Sequence, residues 1–149
     1  MTTSTREAAL AALFGVITAA LSARTPAPTL LRNETIPQRP PPGGLVVLRD
    51  GETLDAIPIL GLAQTWMEHQ AMVEIHAPGA TEPDRRLLMD SLLRAIGDTI
   101  TANPSLGGAV DAAAVQPAQL EDSAPEGAAP IRSAALPIAL IITAPHPHG

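Results

Sequence analysis

The stretch TWMEHQAMVEIHAPGATEPDRRLLMDSLLRAIGDTITAN, residues 65–103, decides how the chain is read, because it joins a long strand pattern to a helix with marked ends. Thr65, Met67, Ala71, Val73 and Ile75 alternate with Gln64, Trp66, Gln70, Glu74 and His76, the period of two that gives a strand one buried and one wetter face. Pro78-Gly79 breaks that pattern. Thr81-Glu82-Pro83-Asp84 then opens a helix: Thr81 caps the free amide of Asp84, Pro83 fits the first turn, and the acids suit the positive end of the dipole. Leu88, Leu92, Ile96 and Ile100 recur every fourth residue, with Met89 and Leu93 widening the stripe, so one face must lie on something apolar. The sheet is its natural cover. Asn103-Pro104 ends the helix and Gly107-Gly108 turns the chain back.

Outward from this core, Ser4 and Glu7 form the signature of a capping box, and Leu10, Leu13, Phe14, Ile17 and Leu21 paint one face of a first helix, about Thr5 to Ser22. The competing reading, a secretory signal peptide running to about Ala23, is opposed by Glu7 beside the single early Arg6. Thr29 to Arg32 reads as a short strand. Asn33 to Gly44 is a stiff arm holding Pro37, Pro40, Pro41 and Pro42. Leu45 to Arg49, then Asp50-Gly51, then Glu52 onward predicts a tight hairpin at Asp50-Gly51. Val110 to Leu120 and Ile131 to Thr143 predict two antiparallel strands around an acidic, flexible tip at Glu121 to Gly127. Apolar residues on both faces of the last strand make it central or doubly covered. The fold expected is α+β, a mostly antiparallel sheet with two main helices packed on it, in a single domain over 1–149 with a Pro-rich arm at 33–44 and an acidic hairpin loop at 121–130.

Composition narrows the chemistry. The chain has no cysteine, which excludes disulfides, thiolate metal sites and cysteine nucleophiles. Its nine basic residues are all Arg, so there is no Schiff-base or phosphate-loop lysine. With no Tyr, one Phe and one Trp there is little stacking surface for single-stranded nucleic acid. A net charge of -6 argues against gripping a phosphate backbone, though not against a protein that DNA slides past. Ala134 to Ala144 is too short to span a bilayer. His69 and His76 point to opposite faces of one strand, and His146 and His148 sit in a tail without supporting residues, so no metal site is expected. Asp84, Arg85, Arg86, Asp90 and Arg94 read as helix-surface ion pairs. No catalytic, metal-binding or cofactor-binding residue and no cofactor is expected.

Leu31-Arg32-Asn33-Glu34-Thr35-Ile36-Pro37, the run from Pro42 to Gly51, Glu74-Ile75, Leu106 to Asp111 and Glu126 to Ile131 resemble a family of small proteins from the tail-morphogenesis clusters of tailed phages and prophages of alphaproteobacteria. The resemblance covers nearly the whole chain and implies a tail terminator, similar in role to the lambda minor tail protein that caps the tail tube. What it implies is a non-enzymatic virion protein at the head-proximal end of the tail, made in the host cytoplasm. Such a protein forms a homohexameric ring, stops tube polymerisation and meets the tail tube protein on one side and the head–tail connector or stopper on the other. DNA only passes through its lumen, and no membrane is involved. On this reading Arg32, Glu34, Arg39 and Arg49 are candidate intersubunit or tube contacts, and Glu121, Asp122 and Glu126 a lumen or docking loop. The alternatives are another head–tail joining or tail-completion protein, or a secreted binding domain with a cleaved N-terminal segment. An acyl-CoA transferase label attached to some relatives finds no nucleophile and base in this sequence.

Overall fold

The computed structural model describes residues 2–36, 39–124 and 127–149. The chain runs α1 (Thr5–Leu21), β1 (Thr29–Arg32), β2 (Leu45–Ile59), β3 (Gln64–Pro78), α2 (Glu82–Ala102), β4 (Ala112–Val115), β5 (Gln119–Ser123) and β6 (Ile131–Ala144), with a 3-10 turn at Leu106–Gly108 before β4. The strands form one sheet in the order β1-β2-β3-β6-β4, and β5 pairs with another part of β6. All pairings are antiparallel except β1 with β2. This is the α+β architecture that the periodicity predicts.

The alternation read from the sequence is the alternation that packs. Met67, Ala71, Val73, Ile75 and Ala77 of β3 and Leu136, Ile138, Leu140 and Ile142 of β6 face a common core. Met89, Leu92, Ile96 and Ile100 of α2 and Leu10, Leu13, Ile17 and Leu21 of α1 fill its other side. Each Leu, Ile, Val and Met among them contributes about 1.5–3 kcal/mol by leaving water. Thr81 caps α2 in a reciprocal box with Asp84, as its sequence signature predicts. At α1 only half of the box forms: Ser4 Oγ accepts from the Glu7 amide at 3.1 Å, and the Glu7 carboxylate bonds elsewhere. On α2 the observed ion pair is Glu82 with Arg86, spaced for one helical face, while Arg85 donates to the Gly79 carbonyl.

Two expectations are corrected. Asp50-Gly51 does not turn the chain. Strand β2 continues through it, with register shifts between Arg49 and Glu52 and again between Thr53 and Asp55, and the turn comes at 60–63. Gly51 spends its positive φ of 72° on a bulge rather than a turn. A Cβ there would stand 1.8 Å from the Gln70 carbonyl oxygen, so no larger residue fits. The acidic tip is also shorter than its sequence suggests, since Glu121 and Asp122 belong to β5 and pair across to Ser133 and Arg132 of β6.

Candidate interface surfaces

Arg32 closes β1 and is the centre of a cluster that ties three elements together. Its two terminal nitrogens each lie 2.7 Å from a Glu7 carboxylate oxygen on α1, and its Nε donates to Asp50 Oδ1 at 3.0 Å. Asn33 extends the cluster, accepting the Asp50 amide on its side-chain oxygen. The hydrogen bonds from Arg32 hold Glu7 below the usual carboxylate range. Burial pushes the Asp50 carboxyl up, but the bonds from Arg32 and Asn33 outweigh it and leave that group below its ordinary value as well. The guanidinium of Arg32 is raised further above its usual range by the same two acids. Its donors are therefore engaged within the chain, fastening the first helix to the sheet edge.

The second face of the sheet carries the remaining polar groups. Arg49 pairs with Glu74 at 3.3 Å. Beside them His76 Nδ1 lies 2.9 Å from Ser133 Oγ, its cross-strand partner on β6. Burial pushes the His76 imidazole below its usual value, and its Nε2 has no partner among the described residues. Glu74, His76, Leu120, Glu121 and Ser133 line a cleft of about 390 Å³. This serine–histidine contact joins residues far apart in sequence, and no local motif marks it.

His69 lies on the opposite face of β3 from His76, as the alternation predicts, and is 3% exposed on the helix-facing side. Its Nε2 bonds the Asp50 carbonyl, which can only accept, and Nδ1 lies 3.1 Å from Thr53 Oγ1. The ring thus bridges both irregular steps of β2 and fixes the path of the strand across them.

The candidate contact residues do not converge on one place. Glu34 and Arg39 are exposed in the arm, while Arg32 and Arg49 are held in intrachain ion pairs. Glu121 lines the cleft, Asp122 pairs with Arg132, and Glu126 lies outside the described residues. Pro37 of the arm lies outside them too.

What the sequence did not single out is the far half of β2. Every residue from Gly51 to Pro58 is exposed, whereas Leu45 to Leu48 of the same strand are buried. Leu54 is 50%, Ile57 49%, Leu60 95% and Leu62 59% exposed. Ile57 stands opposite Trp66, and Asp55 stands opposite Glu68. No ion pair neutralises Asp55 or Glu68 among the described residues. Like charges directly across a ladder are destabilising, so this pair weakens that end of the sheet. Among the described residues no helix is long and apolar enough to cross a membrane. No protein-family model and no curated protein matches the sequence.

Proposed function

We propose that this chain is a tail terminator of a tailed phage, a structural subunit that assembles into a ring on the last ring of the tail tube, stops tube growth and presents a surface to the head connector. The observation that carries the reading is the outer half of β2 with its turn, where Leu54, Ile57, Leu60 and Leu62 stand in solvent. Isolated exposed leucines are ordinary, but four large apolar side chains exposed within nine residues at one end of a sheet favour a contact with another protein. The resemblance of the Leu31–Pro37, Pro42–Gly51 and Leu106–Asp111 segments to tail-terminator proteins supports the same reading and supplies the assembly. A net charge of -6 suits a lumen through which DNA slides without sticking.

A ring subunit has to combine a rigid body with surfaces that meet a neighbour. The two helices and the buried face of β3 and β6 supply the body, and the arm, the β2 end and the β5 edge supply reach. Electron microscopy of particles from a host lacking the gene tests the role. Overlong or headless tails, returned to normal length and joining by the purified protein, are the expected result. Tails of normal length with heads attached would remove the terminator role.

A further inference from the structure

Strand β3 spans the molecule from pole to pole, 15 residues or about 45 Å at the usual rise. At its first end stands the turn at 60–63 with the outer half of β2. This pole is convex, apolar and acidic: Leu54, Ile57, Leu60 and Leu62 are exposed, Glu52 and Asp55 accompany them, and no basic residue occurs between Asp50 and Ala63. The cross-strand repulsion of Asp55 and Glu68 is uncompensated there.

At its last end, Pro78, the surface is concave. Arg24, Pro26, Pro42, Pro78, Leu87 and Leu88 line a cleft of about 630 Å³. Two smaller clefts, of about 370 and 280 Å³, share Pro78 with it and Pro40 with each other, and the last of these is lined by Arg39. An apolar cavity of about 150 Å³ already accepts a benzene-sized group, so there is room for leucine side chains. Leu87, 60% exposed, completes an apolar wall without a partner. Asp84 also lines the large cleft, but its carboxylate is bonded to the Thr81 amide as part of the helix cap. Arg24, whose guanidinium donates to the neutral Ser91 hydroxyl and so keeps its charge unmatched among the described residues, and Arg39 are the positive groups that the clefts present.

The geometry points to a head-to-tail contact between copies of this chain, in which Leu60 and Leu62 of one copy seat in the proline-lined clefts around Pro78 of the next. Shape and charge agree: a convex acidic pole meets a concave pole carrying arginine. The contact uses side chains and not strand addition, because the free edge of β2 is interrupted by two bulges and carries Glu52, Asp55 and Pro58, the features that block edge pairing. Two different surfaces on one chain make the association heterologous, so it closes into a ring when the rotation allows. This deepens the ring reading proposed above, naming the surfaces through which its subunits meet.

The absence of native cysteine makes the test direct. Ala63→Cys and Ala80→Cys place one thiol on the turn and one at the cleft wall, both at exposed positions and neither at a leucine that the contact uses. With a short thiol-specific bismaleimide, the double variant is expected to give a covalent ladder ending at the ring, and an equimolar mixture of the two single variants to give heterodimers. Leu60→Asp, checked for folding by circular dichroism, is expected to abolish the ladder and weaken association by at least about tenfold in sedimentation velocity. A wild-type chain that stays monomeric, an oligomer indifferent to Leu60→Asp, or a ladder absent from the double variant would each overturn the contact. Failure of the tail-capping role leaves a different trace: cross-linked rings that do not restore tail length refute the terminator and leave the contact standing.

Discussion

The two halves of strand β2 share a backbone and little else. Leu45 to Leu48 are buried on both faces, with β1 on one side and β3 on the other, while Gly51 to Pro58 have lost β1 and lie open. The change occurs at the bulge around Gly51, which His69 holds from the core side through the Asp50 carbonyl and Thr53. One end of the strand is covered and serves stability; the other is open and is the end proposed for recognition. Burial, bulge and charge pattern therefore divide the molecule into a body that should dominate its unfolding energy and a pole that should contribute almost nothing to it.

That division is tested first where the effect is largest. Ile96→Ala, in the fully buried stripe of α2, is expected to cost about 2–5 kcal/mol by lost transfer energy and a residual cavity, read from urea unfolding. A cost under about 1 kcal/mol would mean that the helix layer is not the body of the fold. Gly51→Ala meets both a positive φ and a backbone oxygen at 1.8 Å. It should destabilise by about 2 kcal/mol or more, with amide exchange accelerated around 50–58 and 65–70 before the α2 core responds. His69→Ala removes the donor to the part-buried Asp50 carbonyl and should cost about 1–3 kcal/mol. Unchanged exchange in β2 would show that the bulge holds itself.

Titration sharpens the boundary between the halves, because the Arg32 cluster sits on it. Glu7 and Asp50 have folded-state values below the ordinary 4.5 and 3.8. Groups depressed in this way stabilise the fold above those values and lose that contribution as pH falls through the folded ones, since the unfolded chain then binds more protons. His76 acts in the same direction higher up: burial lowers its value from 6.5, so stability falls as pH drops below 6.5 toward the folded value. Arg32→Met is expected to flatten the acid limb below about pH 4.5 while leaving the His76 limb, and His76→Gln to do the reverse, both followed by urea midpoints across pH. Because Glu7 and Asp50 are over a third exposed, the Arg32 effect should stay near 1 kcal/mol or less. The smallest effect belongs to the pole: Leu60→Ala should move stability by no more than about 0.5 kcal/mol.

The body of the molecule was legible because its signals are local. The alternation of β3, the fourfold spacing of α2, the Thr81 cap and the short β1 all follow from near neighbours in sequence. Misreadings arose where one residue pattern serves two geometries. Asp-Gly supplies positive φ equally to a tight turn and to a bulge, and the choice at Gly51 depends on Gln70 and His69, residues on another strand. Glu121 and Asp122 look like loop residues by composition, yet the long β6 gives them a ladder partner and Arg132 gives Asp122 a counter-charge. Arg32 resembles a free arm residue until α1 brings Glu7 to it. Exposure of the β2 pole was invisible for a related reason, since Leu54, Ile57, Leu60 and Leu62 have the composition of a core and their exposure depends on where the rest of the chain packs.

The central claim is that the exposed β2 pole serves assembly and the covered body serves folding. Its most direct test is electron microscopy of tails from hosts lacking the gene, supplied with either wild-type protein or Leu60→Asp of matched folding stability. The account predicts that wild type restores uniform tails with heads attached, whereas Leu60→Asp leaves them overlong or headless. Normal, joined tails with the folded Leu60→Asp variant would contradict it.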